Sequence, residues 1–359
     1  MKRIVIIASV LVTALVSCAR INSERPASEI MFQVARHSVA TKADPADYKD
    51  AYQEVPFGTY AWYKALNEQD NAPYIINKKV AYIESTNTWM TVGTTYYWPY
   101  TGALDFISYS PYSEDGVAAP APVITENSIS WSTPWNVDAH QNADVMYADK
   151  VVGINGNVNT FNHGYEGVPT LFRHALARLA FRLRTGFTSR TAGGETTRWE
   201  IDINSMTLND IFTTGTLTLN LAEDGSWAKP ESNAWTPETE ATSRPLDVSA
   251  VTTLTEEMQN AGGSFFVLPQ TLENQRLTLT ATIRTYRDTG EGEQLVITEE
   301  NVECYAPLKT DKIDTWGINQ FITYIITVNP VSDDETEFIL FDPAVEGWDE
   351  KVVETMILL

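Results

Sequence analysis

The chain has 359 residues, 43% of them hydrophobic and 20% charged, which excludes intrinsic disorder and provides more apolar material than one small core needs. Its formal net charge of -22 excludes nucleic acid and anionic membrane surfaces as partners, because both would repel it. Length alone favours two domains.

At the N-terminus, Lys2 and Arg3 precede an apolar run from Ile4 to Val16. The run is too short to span a bilayer and has the form of a secretory signal peptide, residues 1–17. Leu15-Val16-Ser17-Cys18 then resembles the lipobox of bacterial lipoproteins, in which the cysteine is lipidated and heads the mature chain. Lipidation at Cys18 leaves Cys304, within an apparent strand, as a small buried hydrophobe, and no disulfide framework is possible. One acyl anchor without a later run of about 18 apolar residues means attachment to a membrane rather than passage through it.

Ile30, Phe32 and Val34 alternate on one face and predict a first strand over about 28–36, with Arg36 directly after the alternation. Asp44 to Glu54 reads as a loop or one short helix. Trp62, Trp89, Trp98, Trp131 and Trp135 crowd the first half; they are read as core aromatics, or as exposed platforms for a sugar. The Gly/Asn-rich piece from Gly153 to Gly164, followed by Gly167 and Pro169, reads as a connection. It places a boundary between an N-terminal domain, 18–168, and a C-terminal domain, 169–359.

Beyond it, period-two alternation recurs: Leu179, Phe181 and Leu183 against Arg178, Arg182 and Arg184; then Leu217, Leu219 and Leu221; then Leu277, Leu279, Ala281 and Ile283; then Ile322, Tyr324, Ile326 and Val328. Polar, Gly-bearing turns separate these runs, which predicts an all-β sandwich architecture. Thr255 to Ala261, stopped by Gly262-Gly263, predicts one of few short helices. The chain ends on Val352-Val353-Glu354-Thr355-Met356-Ile357-Leu358-Leu359, a strand whose backbone groups need a partner.

Catalytic chemistry has no positive signal. His37, His140, His163 and His174 lack the spacing of a zinc pair, and no nucleophile elbow, phosphate loop or dinucleotide fingerprint is present. The clusters Asp44, Asp47, Asp50 and Asp333-Asp334-Glu335 lack the alternation and glycine of a calcium loop and read as solvated turns. The expectation is a non-enzymatic protein without metal or cofactor.

Several stretches together resemble the fimbrillin family of Bacteroidales, whose members are surface lipoproteins that form or cap fimbriae. They are YYWP at 96–99, LDFISYSPY at 104–112, FRHALARLAF at 172–181, QFITYIITV at 320–328 and FDPAVEGW at 341–348, in that order after the lipobox. The resemblance implies two transthyretin-like β-sandwich domains, a place at the outer membrane and cell surface, and assembly with other fimbrial subunits by donor-strand exchange. An arginine-specific protease removes the first strand of such precursors, and a strand from another subunit fills the groove. Here Arg36 is the expected cleavage site: Arg25 precedes Pro26, and Arg20 lies almost at the lipid. The expected donor strand is the tail, with Val352, Val353, Met356, Ile357, Leu358 and Leu359 as its apolar residues. The same alternation also suits a tail that closes its own domain. A subunit's place as stalk, tip or anchor depends on whether both terminal strands are exchanged. The competing reading is a surface glycan-binding lipoprotein that uses exposed tryptophans.

Overall fold

A computed structural model describes residues 28–36, 55–66, 71–114, 119–140, 143–158, 166–220, 235–238, 240–330, 341–342, 345–347 and 351–358, with the side chains of 35–36 and of 341 onward outside the description. The described residues are all-β, with strands throughout and no helix. An eight-stranded sheet holds most strands before residue 175, including Met31–Arg36, Phe57–Lys64, Ala72–Ile83, Thr88–Thr91, Ala103–Ser110 and Val168–His174. Pairing of Phe57–Lys64 with both Ala72–Ile83 and Ala103–Ser110 closes this sheet's path on itself. Inside it lies an aromatic core that includes Phe32, Phe57, Trp89, Phe106 and Phe172.

The second half packs a seven-stranded sheet, built on Ala177–Arg184, Gln320–Asn329 and Lys351–Leu358, against a five-stranded one whose long members are Glu195–Ile211, Arg276–Asp288 and Glu293–Pro307. The core between them takes Leu179, Phe181 and Leu183 from one side and Leu277, Leu279, Ala281 and Ile283 from the other, as the alternation predicts. Phe181 stacks on Tyr324 at 5.4 Å, and Trp316 donates its indole N–H to the Tyr324 hydroxyl at 2.9 Å. The strand Gln320–Asn329 departs from half-burial: Thr323, Ile325 and Thr327 are buried as well as Ile322, Tyr324, Ile326 and Val328. This strand is central, between two parallel neighbours, the position in which both faces are covered. Arg184 reaches the Thr327 hydroxyl and Arg178 lies over the Phe266 and Phe321 rings, so arginine stems cover that second face.

A third core spans both halves. Strands Val123–Thr125 and Ser128–Asn136 pair with Thr214–Asn220 and Trp235–Pro237 in one four-stranded sheet. Trp62, Ile129, Trp131 and Trp135 thereby meet Leu217, Leu219 and Leu268, and Trp235 donates to the Ala175 carbonyl at 2.6 Å. Residues on either side of 169 therefore share one sheet and one core.

Two sequence expectations are corrected. Thr255–Ala261 forms no helix: it bends into the two-residue strand Gln259–Asn260 on the edge of Ala177–Arg184, and the Ala261 N–H donates to the Phe181 carbonyl at 2.9 Å. Seven residues are too few to stabilise a helix alone, whereas a strand edge offers ready partners. Part of the glycine-rich connection is strand, since Val151–Ile154 pairs with Ala103–Ser110 and Pro169 lies within Val168–His174. Asp44 to Glu54 and Asp333 to Glu335 lie outside the described residues.

The shared core makes a test of coupling straightforward. Leu217→Ala is expected to cost about 2–5 kcal/mol, the range for a buried leucine, and to lower the urea stability of both halves together. Hydrogen exchange resolved by region checks this; loss of protection confined to the second half would mean that the core does not couple them.

Candidate functional site

The first strand is an internal element rather than an edge. Met31–Arg36 runs parallel to Val168–His174 on one side and antiparallel to Thr88–Thr91 on the other. Ile30, Phe32 and Val34 point into the aromatic core, and Phe32 is fully buried. Its ring makes edge contacts with Phe57 at 5.6 Å and with Phe106 at 5.9 Å, while Phe57 in turn meets Phe172 at 5.3 Å. Burying three such side chains contributes about 5–9 kcal/mol before entropic costs, at roughly 1.5–3 kcal/mol each. That sum rivals the whole stability of an ordinary domain, about 5–15 kcal/mol. Loss of this strand would leave a slot between Thr88–Thr91 and Val168–His174 with an open apolar floor.

Further groups fix how a strand lies in that slot. The Ile30 N–H donates to the Tyr96 carbonyl at 2.9 Å, and the Trp98 N–H donates to the Ser28 carbonyl at 3.0 Å. Asn157 accepts from the Met31 N–H and from the Trp98 indole, and donates to the Glu29 carbonyl at 2.9 Å. Gln33, wholly buried, donates to the carbonyls of Val158 and Gly167. Gly167 has no room for a side chain, because a Cβ there would sit 2.5 Å from the Phe32 carbonyl carbon. Sequence reasoning missed Gln33, Asn157 and Gly167. The only signal available was a glycine in a stretch read as a connection.

Arg36 is the last residue of the strand, opposite Phe172. Cys18 lies outside the described residues, as do His37 and His163. The tail forms a strand, Lys351–Leu358, parallel to Gln320–Asn329 in its own half. Register sets Val353, Thr355 and Ile357 beside Tyr324, Ile326 and Val328, and Val352, Met356 and Leu358 beside Thr323, Thr327 and Asn329. Leu359 lies outside the described residues. Both terminal strands thus join their sheets through a parallel pair, but the structure keeps them in different sheets.

The tryptophan platforms are not formed. Trp62, Trp89, Trp98, Trp131 and Trp135 are all buried, at most 7% exposed, because each closes an aromatic core. The histidines that are described are held by neighbours. His174 lies 2.7 Å from Asp144, and the His140 ring packs at 4.8 Å against Trp135. No group of three or more His, Cys, Asp or Glu that could hold a metal occurs among the described residues. Asp105 is buried 2.7 Å from the Lys64 ammonium and 3.7 Å from that of Lys150, and it also accepts from the Gly153 N–H. Burial pulls the Lys150 pKa down, with Asp105 acting against it. This cluster ties strand Ala103–Ser110 to strand Val151–Ile154 and to Lys150 just before it. Cys304 is buried and unbridged, and burial pushes its thiol up to about 12.

The fimbrillin-like family model matches residues 43–348. The chain belongs to the fimbrillin-like family. A fimbrillin-like protein is a structural, non-enzymatic component of a cell-surface fimbria, and its interactions are those of assembly with other subunits. The match begins after Met31–Arg36 and ends before Lys351–Leu358, so both terminal strands lie outside it. Among solved structures, a fimbrial protein from Bacteroides vulgatus has 12% identity and a TM-score of 0.56, with 84% of this chain and 95% of that one covered, and shares the fold. A candidate cell adhesion protein from Bacteroides uniformis has 16% identity and a TM-score of 0.46, with 91% of this chain and 97% of that one covered. No curated protein matches the sequence.

Two outcomes check this geometry. In the uncleaved fimbrillin, Gly167→Ala is expected to cost about 1–3 kcal/mol by forcing the first strand outward, and to lose most of that cost once the chain is cleaved after Arg36. Denaturation curves of both forms measure it, and an equal cost in each would mean that Gly167 does not constrain the slot. Peptide mapping after iodoacetamide treatment at pH 8 should find Cys304 unmodified in the folded protein and modified in urea, because the thiolate is the nucleophile and burial disfavours it.

Proposed function

We propose that this fimbrillin is exported as a lipoprotein precursor, anchored at the outer membrane through Cys18, and assembled by donor-strand exchange. An arginine-specific protease cleaves after Arg36 and releases the first strand. The tail of another subunit, through Val352, Val353, Met356, Ile357, Leu358 and Leu359, then fills the slot. One observation carries this reading: the first strand is an internal strand of its sheet, and its removal exposes a buried aromatic floor while leaving unpaired backbone on both sides. A vacated slot of this kind demands a replacement strand, and backbone pairing with alternate side chains in pockets is the strand-addition mode of recognition.

The two strands support the reading by lying outside residues 43–348, the body shared with the family. Arg36 stands where the strand ends, so cleavage there removes it whole. Two transthyretin-like sandwich domains, 18–168 and 169–359, complete the proposal, with the bridging sheet as their joint. Burial of the five first-half tryptophans weighs against the glycan-binding alternative.

Treatment of the purified precursor, with Cys18 replaced, by a limiting dose of an arginine-specific protease tests the scheme. Intact mass should show loss of the segment ending at Arg36, and gels should show a ladder of denaturant-sensitive multimers. Arg36→Ala should block both, and deletion of 352–359 should permit cleavage but abolish the ladder. A ladder that survives the deletion, or forms from the Arg36→Ala protein, would overturn the assignment.

A further inference from the structure

The slot is flanked at one end by a surface of tyrosines. Tyr97 is 45% exposed and Tyr100 75%, and Tyr63, Tyr74 and Tyr96 lie half-buried beside them. Their backbone is held firmly. Tyr74 donates its hydroxyl to the Tyr97 carbonyl at 2.6 Å, the Tyr74 and Tyr96 rings lie 6.1 Å apart, and Gly102 takes a left-handed φ of 75° against the Tyr63 ring. The same segment pairs with the start of the first strand: Tyr97 bridges Glu29, and Tyr96 and Trp98 bond Ile30 and Ser28. Tyr97 and Tyr100 therefore mark the end at which the first strand enters the slot. The opposite end, beyond Arg36, is marked by the exposed turn Glu84 to Asn87, because Thr88–Thr91 runs antiparallel to the first strand.

The direction of an incoming strand decides which end carries the subunit that donates it. Within its own half the tail already pairs in parallel with Gln320–Asn329, the mode in which the first strand pairs with Val168–His174. A strand of the first strand's direction also meets the groups that strand leaves behind, the Tyr96 carbonyl and the Asn157 amide. Resting on the donor-strand reading above, we propose that the tail enters the slot in the same direction as the first strand, so that the body of the donating copy docks on the surface of Tyr97 and Tyr100. The residues just before the tail, Trp348, Asp349 and Glu350, are then the ones brought to that surface. The chemistry suits the pairing. Each copy carries a net charge of -22, so an uncharged aromatic surface is a favourable place for two copies to meet, and phenol hydroxyls can donate to the Asp349 and Glu350 carboxylates. Tyrosine also provides large contact area at low conformational cost.

Disulfide trapping reads the direction. Cleaved acceptor carrying Tyr100→Cys or Thr86→Cys is mixed with cleaved donor carrying Asp349→Cys under mild oxidation, and covalent dimers are followed by intact mass. Dimers with Tyr100→Cys and not with Thr86→Cys are expected, and the double variant Tyr97→Ser/Tyr100→Ser should slow multimer formation about tenfold, as loss of interface anchors does, with cleavage unchanged. Dimers with Thr86→Cys instead, or a normal ladder with neither dimer and an unslowed double variant, would overturn the docking alone. Absence of any ladder in the unaltered cleaved protein would overturn the donor-strand reading, and the docking with it.

Discussion

Close approach of the Phe32 backbone to Gly167 and the seating of its ring against Phe57 and Phe106 hold the first half of the molecule together. Closure of the eight-stranded sheet between Thr88–Thr91 and Val168–His174 depends on this contact, because the first strand lies between those two strands and its side chains complete the core. A six-residue strand holds this position through side-chain burial and backbone pairing at once. Neither alone suffices: unpaired backbone in an apolar setting is costly, and an apolar strand without ladder partners has no fixed register.

The two ends of the chain are treated alike. Each contributes a strand that joins its sheet through a parallel pair, and each lies outside the body shared with the fimbrillin-like family. Between them, the body is tied across its middle by the four-stranded sheet and the core of Trp62, Trp131, Trp135, Leu217 and Leu268. An assembly that transmits load along a filament needs such a joint as much as it needs strong contacts between copies. Electrostatics sets a complementary limit. With so large a negative charge, association cannot rely on general attraction and must come from apolar and hydrogen-bonding contacts at defined places.

Polar groups inside the fold act as fasteners. Asn157 connects the start of the first strand to Trp98, and Gln33 connects its middle to the carbonyls of Val158 and Gly167. Asp105 with Lys64 and Lys150 does the same for strand Val151–Ile154. The Gln33 amide oxygen is buried without a partner among the described residues, so its donor contacts alone hold that side chain; each such buried contact favours one arrangement, because a shift would leave the donor unsatisfied.

Alternation of apolar residues was enough to locate the first strand, the strands around Leu179, Leu217, Leu277 and Ile322, and the terminal strand, since a period of two dictates which residues share a face. Ordered motifs from YYWP to FDPAVEGW point to the family. Alternation does not say which strand lies beside which, so the internal place of the first strand and the parallel pairing of the tail emerged only from the folded chain. Burial of the tryptophans, the failure of Thr255–Ala261 to form a helix and the constraint at Gly167 have the same origin: each depends on what a distant segment brings into contact, and distance along the chain carries no record of it. The sequence by itself determined the strongly alternating strands and the family; tertiary structure decided the remaining strands and every neighbour, because pairing and packing are properties of segments that meet only when the chain folds.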